Sequence, residues 1–63
     1  MQNVTIKSVK PGDYIKRKED AKTVYIKGAY DRATKSFECA DTDDMNRVIY
    51  IKSDKLVFVG FTY

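Results

Sequence analysis

The sequence predicts an all-β domain of about five short antiparallel strands with one short helical turn. Three observations carry that expectation. The large apolar residues fall in short runs rich in Val, Ile, Tyr and Phe, which suit a pleated, half-buried surface. Polar stretches with turn chemistry separate the runs. No segment carries the i, i+3, i+4, i+7 stripe of an amphipathic helix. The chain has 63 residues, with no internal repeat, low-complexity tract or linker, so residues 1–63 read as one domain.

The elements follow in order. The first ten residues, MQNVTIKSVK, lack the apolar core of a signal peptide. Pro11 fixes φ, and Gly12-Asp13 completes a turn that delivers Tyr14 and Ile15 into an extended segment. Lys16 to Lys22 is too polar for a core and reads as an exposed loop. From Val24 to Tyr30 the residues are β-branched and aromatic. Val24, Ile26, Gly28 and Tyr30 share one face, expected to look inward, while Tyr25, Lys27 and Ala29 share the other. Gly28 inside a strand points to a bulge, a bend or a close backbone approach.

Asp31 to Lys35 reads as a hairpin loop; it lacks glycine, so a longer type I loop fits better than a tight two-residue turn. Phe37 and Cys39 then share a face of the returning strand, with Glu38 opposite. In the stretch DTDDMNR, Asp41 or Thr42 is expected to cap one helical turn anchored by Met45. Val48–Ile51 and Leu56–Phe61 make the last two strands, joined by the polar loop Lys52–Lys55. Strands this short, with no long helix, assemble as a strongly bent sheet, a small, partly open barrel of SH3-like type. An OB-like barrel is the nearest rival, and the chain is short for it.

The last two strands do not alternate apolar with polar, as a sheet with one wet face should. One side of each fills the barrel, and the other is left apolar on the outside. Ile49, Ile51, Val57, Val59 and Phe61 are the candidate protein interface, covered by a second copy or by another protein. The alternative is that the segment Val4-Thr5-Ile6 folds over this face.

Composition excludes several functions. Cys39 is the single cysteine and there is no histidine, so neither an intrachain disulfide nor a structural zinc site is available. Packing and self-association are left to stabilise so small a core. No apolar run approaches the roughly 18 residues of a membrane span, so no membrane partner is expected. A lone thiol without a targeting segment fits a reducing cytoplasm. Catalysis has little to work with. The commonest general base is absent, Ser8, Ser36 and Ser53 lack a nucleophile signature, and Cys39 reads as a small buried hydrophobe. The three glycines are scattered, so no phosphate loop exists. The chain is expected not to be an enzyme, and no cofactor or small-molecule substrate is inferred. Asp41, Asp43, Asp44 and Asn46 resemble the first half of a calcium loop. The pattern fails at the sixth and twelfth positions, Asn46 and Lys52, where glycine and glutamate are required. No metal site is therefore expected.

The basic residues are the better lead. The net charge is +3, yet residues 1–35 hold nine Lys/Arg against four Asp/Glu, and residues 36–63 hold three against five. Lys16, Arg17 and Lys18 lie between Tyr14 and Tyr25, Lys27 follows on the same strand face as Tyr25, and Arg32 and Lys35 sit at the hairpin tip. Small barrels bind single strands of nucleic acid by pairing a cationic groove with aromatic stacking platforms. These eight residues are the candidate nucleic-acid contacts, although no RNA-recognition or cold-shock signature accompanies them.

The run from Val24 onward, with Tyr30-Asp31-Arg32, Thr34-Lys35, Phe37, Cys39, Asp43-Asp44 and Asn46, resembles small uncharacterised proteins encoded by bacteriophages, prophages and plasmids. The Lys10-Pro11-Gly12-Asp13 entry is similar too. The resemblance implies a bacterial or phage cytoplasmic setting and carries over no catalytic or binding residue. The expected function is a non-enzymatic binding module of a mobile element that contacts nucleic acid. The competing expectation is a protein-interaction or inhibitor module, homodimeric or not, that works through the apolar face of residues 48–61.

Overall fold

The computed structural model describes residues 1–61; Thr62 and Tyr63 lie outside the described residues. The chain is an all-β, partly open barrel of SH3-like type, with six strands among the described residues. They are β1 (Gln2–Thr5), β2 (Tyr14–Ile15), β3 (Tyr25–Asp31), β4 (Ser36–Asp41), β5 (Val48–Lys52) and β6 (Leu56–Val59). β2, β3, β4 and β5 form an antiparallel meander, and β1 pairs antiparallel with β6. Lys16 and Phe58 join the two sheets: each amide donates to the other's carbonyl, at 3.0 and 2.8 Å. The hydrogen-bonded path is thus β1-β6-β2-β3-β4-β5, curled on itself. Among the described residues the outer edge of β5 pairs with no strand, and the barrel is open there.

The inside is small and aliphatic. Ile6, Val9, Ile15, Cys39, Ile51 and Val57 are buried, with Val4, Tyr25, Phe37, Ile49 and Val59 packed against them. The entry turn forms as its residues dictate. The Asp13 amide donates to the Lys10 carbonyl at 3.1 Å, Pro11 takes the second position, and Gly12 the third with φ +90°. That is the type II arrangement, which needs a positive φ where glycine stands.

Four details differ from the sequence reading. First, β1 is a strand on the edge of β6, so Val4 and Thr5 do not fold over an outer face; the Ile6 amide extends the ladder to the Lys55 carbonyl at 2.9 Å. Second, the short helical turn is a 3-10 turn at Ile6–Ser8, not in the acidic loop. The Asp41 amide donates to the Arg47 carbonyl at 2.9 Å, which pins both ends of the loop as a hairpin connection. Inside it, Asp41 Oδ1 accepts from the Asp43 amide at 2.9 Å and Asp44 Oδ1 from the Asn46 amide at 3.1 Å. These side chains satisfy backbone donors locally in place of a helix.

Third, Val24 is buried as expected, but within β3 the facing of the next residues is reversed. Tyr25 and Lys27 look inward, and Lys27 is only 4% exposed. The register explains part of this. Lys27 faces Cys39 and Tyr30 faces Phe37, so Gly28 and Ala29 together oppose Glu38. This is the bulge that the glycine suggested, and it breaks the simple two-residue alternation. Fourth, β5 and β6 alternate in burial with the parity opposite to that expected, while their outer side is apolar as the sequence indicates. Ile51 and Val57 are buried, Ile49 and Val59 pack on the core, and the outward residues are Val48, Tyr50 and Leu56.

Candidate functional site

β5, β6 and the segment after β2 leave a slot where the barrel stays open. It is a groove of about 330 Å³ lined by Ile49 to Lys52 of β5, by Lys55, Leu56 and Val57, and by Arg17 and Lys18. A second hollow of about 250 Å³ adjoins it, because Arg17 and Lys18 line both; Ala21, Thr23 and Tyr25 complete it. The topology makes this meeting. The Lys16–Phe58 bridge holds the start of the basic segment against β6, and the chain then carries Arg17 and Lys18 past the end of the strand. The β5–β6 turn, closed by the Lys55 amide on the Lys52 carbonyl at 3.0 Å, adds two more lysines to the lining.

The electrostatics are one-signed. Arg17, Lys18, Lys52 and Lys55 line the pair of hollows, and among the described residues no Asp or Glu lines either. Lys52 Nζ donates to the Thr34 carbonyl at 2.7 Å, so this cation is tethered at the groove wall. Aromatic surface is present as well: Tyr50, 56% exposed, stands at the first hollow, and half-buried Tyr25 at the second.

Of the eight residues expected to contact nucleic acid, Arg17, Lys18 and Tyr25 come together here. Lys16 stands beside them, half-buried, with Nζ 4.8 Å from the centre of the Phe61 ring. Arg32 and Lys35 are exposed in the β3–β4 loop. That loop is tied to the groove's lysine end by the Lys52–Thr34 bond and by the Ser53 amide on the Lys35 carbonyl at 3.3 Å. Tyr14 is exposed on β2 beside Ile26 and lines neither hollow.

Lys27 is a correction. Its ammonium donates to the Val9 carbonyl inside the barrel and lies 4.1 Å from the centre of the Phe37 ring. A lysine so placed is a structural cation and cannot reach a phosphate. Burial lowers its pKa from the ordinary value, opposed by Cys39 and Asp13. Across the ladder, burial raises the Cys39 pKa, opposed by a backbone hydrogen bond from Gly28 and by Lys27, with Glu38 adding to the rise.

The expected protein interface is corrected too. Ile51 and Val57 belong to the core, and Ile49, Val59 and Phe61 are not fully exposed either. An unbroken apolar run does not say which side faces in, and here Ile51 and Val57 take the inner side. The surface that is apolar and open consists of Val48, Tyr50 and Leu56.

Tyr50, Lys52, Lys55 and Leu56 were not anticipated as site residues. Lys52 and Lys55 sit in the half of the chain with the acidic balance, and only the β5–β6 turn carries them to Arg17 and Lys18. The polar loop Lys52–Lys55, two lysines bracketing a turn, was the one available signal. The chain matches no protein-family model, no curated protein and no solved structure.

Proposed function

We propose that this chain is a non-catalytic binding module whose ligand is nucleic acid, held in the groove beside β5. One observation carries the reading: Arg17, Lys18, Lys52 and Lys55 converge from two distant segments on adjoining hollows that no carboxylate lines. Such a surface attracts a polyanion and gains affinity by releasing its counterions. Lys16, Arg32 and Lys35 flank it and extend the cationic approach. The setting that fits is a reducing cytoplasm, in a phage or other mobile element as the sequence resemblance implies. No helix of the described residues is long and apolar enough to cross a membrane.

A protein partner is the second reading, favoured by the unpaired edge of β5 and the exposed Val48, Tyr50 and Leu56. A second copy placed groove to groove suits it poorly, since that arrangement opposes the same four cations.

Fluorescence anisotropy with labelled DNA and RNA of mixed sequence, at low salt, tests the proposal. The affinity should fall steeply with salt, with a log–log slope of about −0.7 to −0.9 per phosphate contacted. Arg17→Ala combined with Lys55→Ala should weaken binding at least about tenfold, each lost contact being worth roughly 1 kcal/mol. Absence of binding to any DNA or RNA at about 50 mM salt overturns the proposal.

A further inference from the structure

Resting on the nucleic-acid reading, we infer that the ligand is single-stranded and that its unpaired bases enter the slot against the free edge of β5. The slot runs along Ile49 to Lys52, four consecutive residues of a strand whose outer edge has no partner strand among the described residues. Every second residue of such a strand turns its N–H and C=O away from its single neighbour, here β4. These groups match the hydrogen-bonding edge of a base, but only a base that has left its own pair. The slot's lining carries four cations, Arg17, Lys18, Lys52 and Lys55, which would hold a strand's phosphates while its bases are inserted.

Size and shape support the same conclusion. The two hollows, about 330 and 250 Å³, are each on the scale of one nucleotide. They share Arg17 and Lys18, which suits a phosphate linking two nucleotides. Tyr50, exposed at the first hollow, is the stacking platform, while Tyr25 lines the second as it packs on the core. Duplex DNA is read by an element that protrudes into its major groove. This site is concave, and the described residues contain no helix beyond one 3-10 turn. An extended acidic peptide is the competing occupant of an open strand edge, but it needs pockets for alternate side chains. Ile51 and Val57, 7% and 1% exposed, already fill the inner side of the slot.

The test compares a short DNA single strand, its RNA equivalent and a hairpin duplex of the same length, against the native chain, Tyr50→Ala, Tyr50→Phe and Arg17→Ala. Tyr50 is exposed, so its replacement leaves the fold intact. A single strand should bind at least about tenfold more tightly than the duplex. Tyr50→Ala should cost roughly fivefold to a hundredfold, and Tyr50→Phe should restore most of it. If duplex and single strand bind equally and Tyr50→Ala changes nothing while Arg17→Ala still weakens both, the single-strand inference falls and the nucleic-acid proposal stands. If no oligonucleotide binds and a polyglutamate peptide does, both fall.

Discussion

Gly28→Ala is the sharpest test of how this sheet is built. Gly28 lies in the bulge of β3, and a Cβ placed on it would stand 2.6 Å from the Glu38 carbonyl oxygen. Ordinary van der Waals contact begins near 3.4 Å, so β3 and β4 must part locally by about 0.8 Å. The obstacle is backbone, which cannot swing aside as a side chain does. Overpacking of this kind costs about 1–3 kcal/mol. Alanine returns about 0.4–1 kcal/mol by restricting the unfolded chain. From the middle of the two ranges the net loss is about 1.3 kcal/mol, a large share of the roughly 3–5 kcal/mol that so small a core supplies. In thermal unfolding followed by far-UV circular dichroism, the midpoint should drop by roughly 5–15 °C. An unchanged or raised midpoint refutes the reasoning. Gly12 provides the contrast. Nothing lies within 4 Å of its Cβ position, and its φ is +90°, so L-alanine there is penalised by torsion alone. D-Alanine in a synthetic chain should therefore be tolerated at position 12.

Two further outcomes concern the buried pair of β3 and β4. Burial makes the folded chain release the Lys27 proton before the unfolded chain does. Between the lowered pKa and the ordinary 10.5, the unfolded state holds more protons, so this group adds stability as pH rises. The stability of the native chain relative to Lys27→Met, from urea denaturation, should increase with pH across that window; a flat difference contradicts the burial of Lys27. Cys39 behaves in the opposite sense: its raised pKa removes stability above its ordinary value. Cys39 should react with a thiol reagent at least about a hundredfold more slowly in the native chain than in denaturant, in line with the opening free energy of a small core. Equal rates would show that the thiol is not enclosed.

The fold class was legible because β-branched runs and turn residues agree with one another along the chain. Pro11-Gly12 specified its own turn, and Gly28 announced a bulge. The missing sixth strand had no such signal. Gln2–Thr5 has one large apolar residue, Val4, and becomes a strand because β6 has an edge to pair. The acids of residues 41–46 were legible as turn formers, but a helical turn and a pair of side-chain-closed turns use the same residues. Lys27 was illegible for a physical reason. Its stem is apolar and its ammonium needs only a carbonyl and a ring, supplied by Val9 and Phe37 from elsewhere in the chain. The candidate site was half legible. Arg17 and Lys18 form a local cluster that composition reveals, whereas Lys52 and Lys55 join it through topology alone.

The pairing of β1 with β6 also orders events in time. The meander from β2 to β5 consists of neighbours in sequence, so each hairpin closes over a short loop. The register Gln2↔Val59 instead joins the two extremes of the described chain, and the Lys16–Phe58 bridge waits on the same strand. Closing so long a loop costs more chain entropy than closing any one of the hairpins. During synthesis, Ile6 and Ile15 emerge early but cannot be covered by Val57 until β6 has left the ribosome. The slot therefore needs β6: a nascent chain lacking it has Lys52 and Lys55 but not the Leu56–Val57 side that meets Arg17 and Lys18.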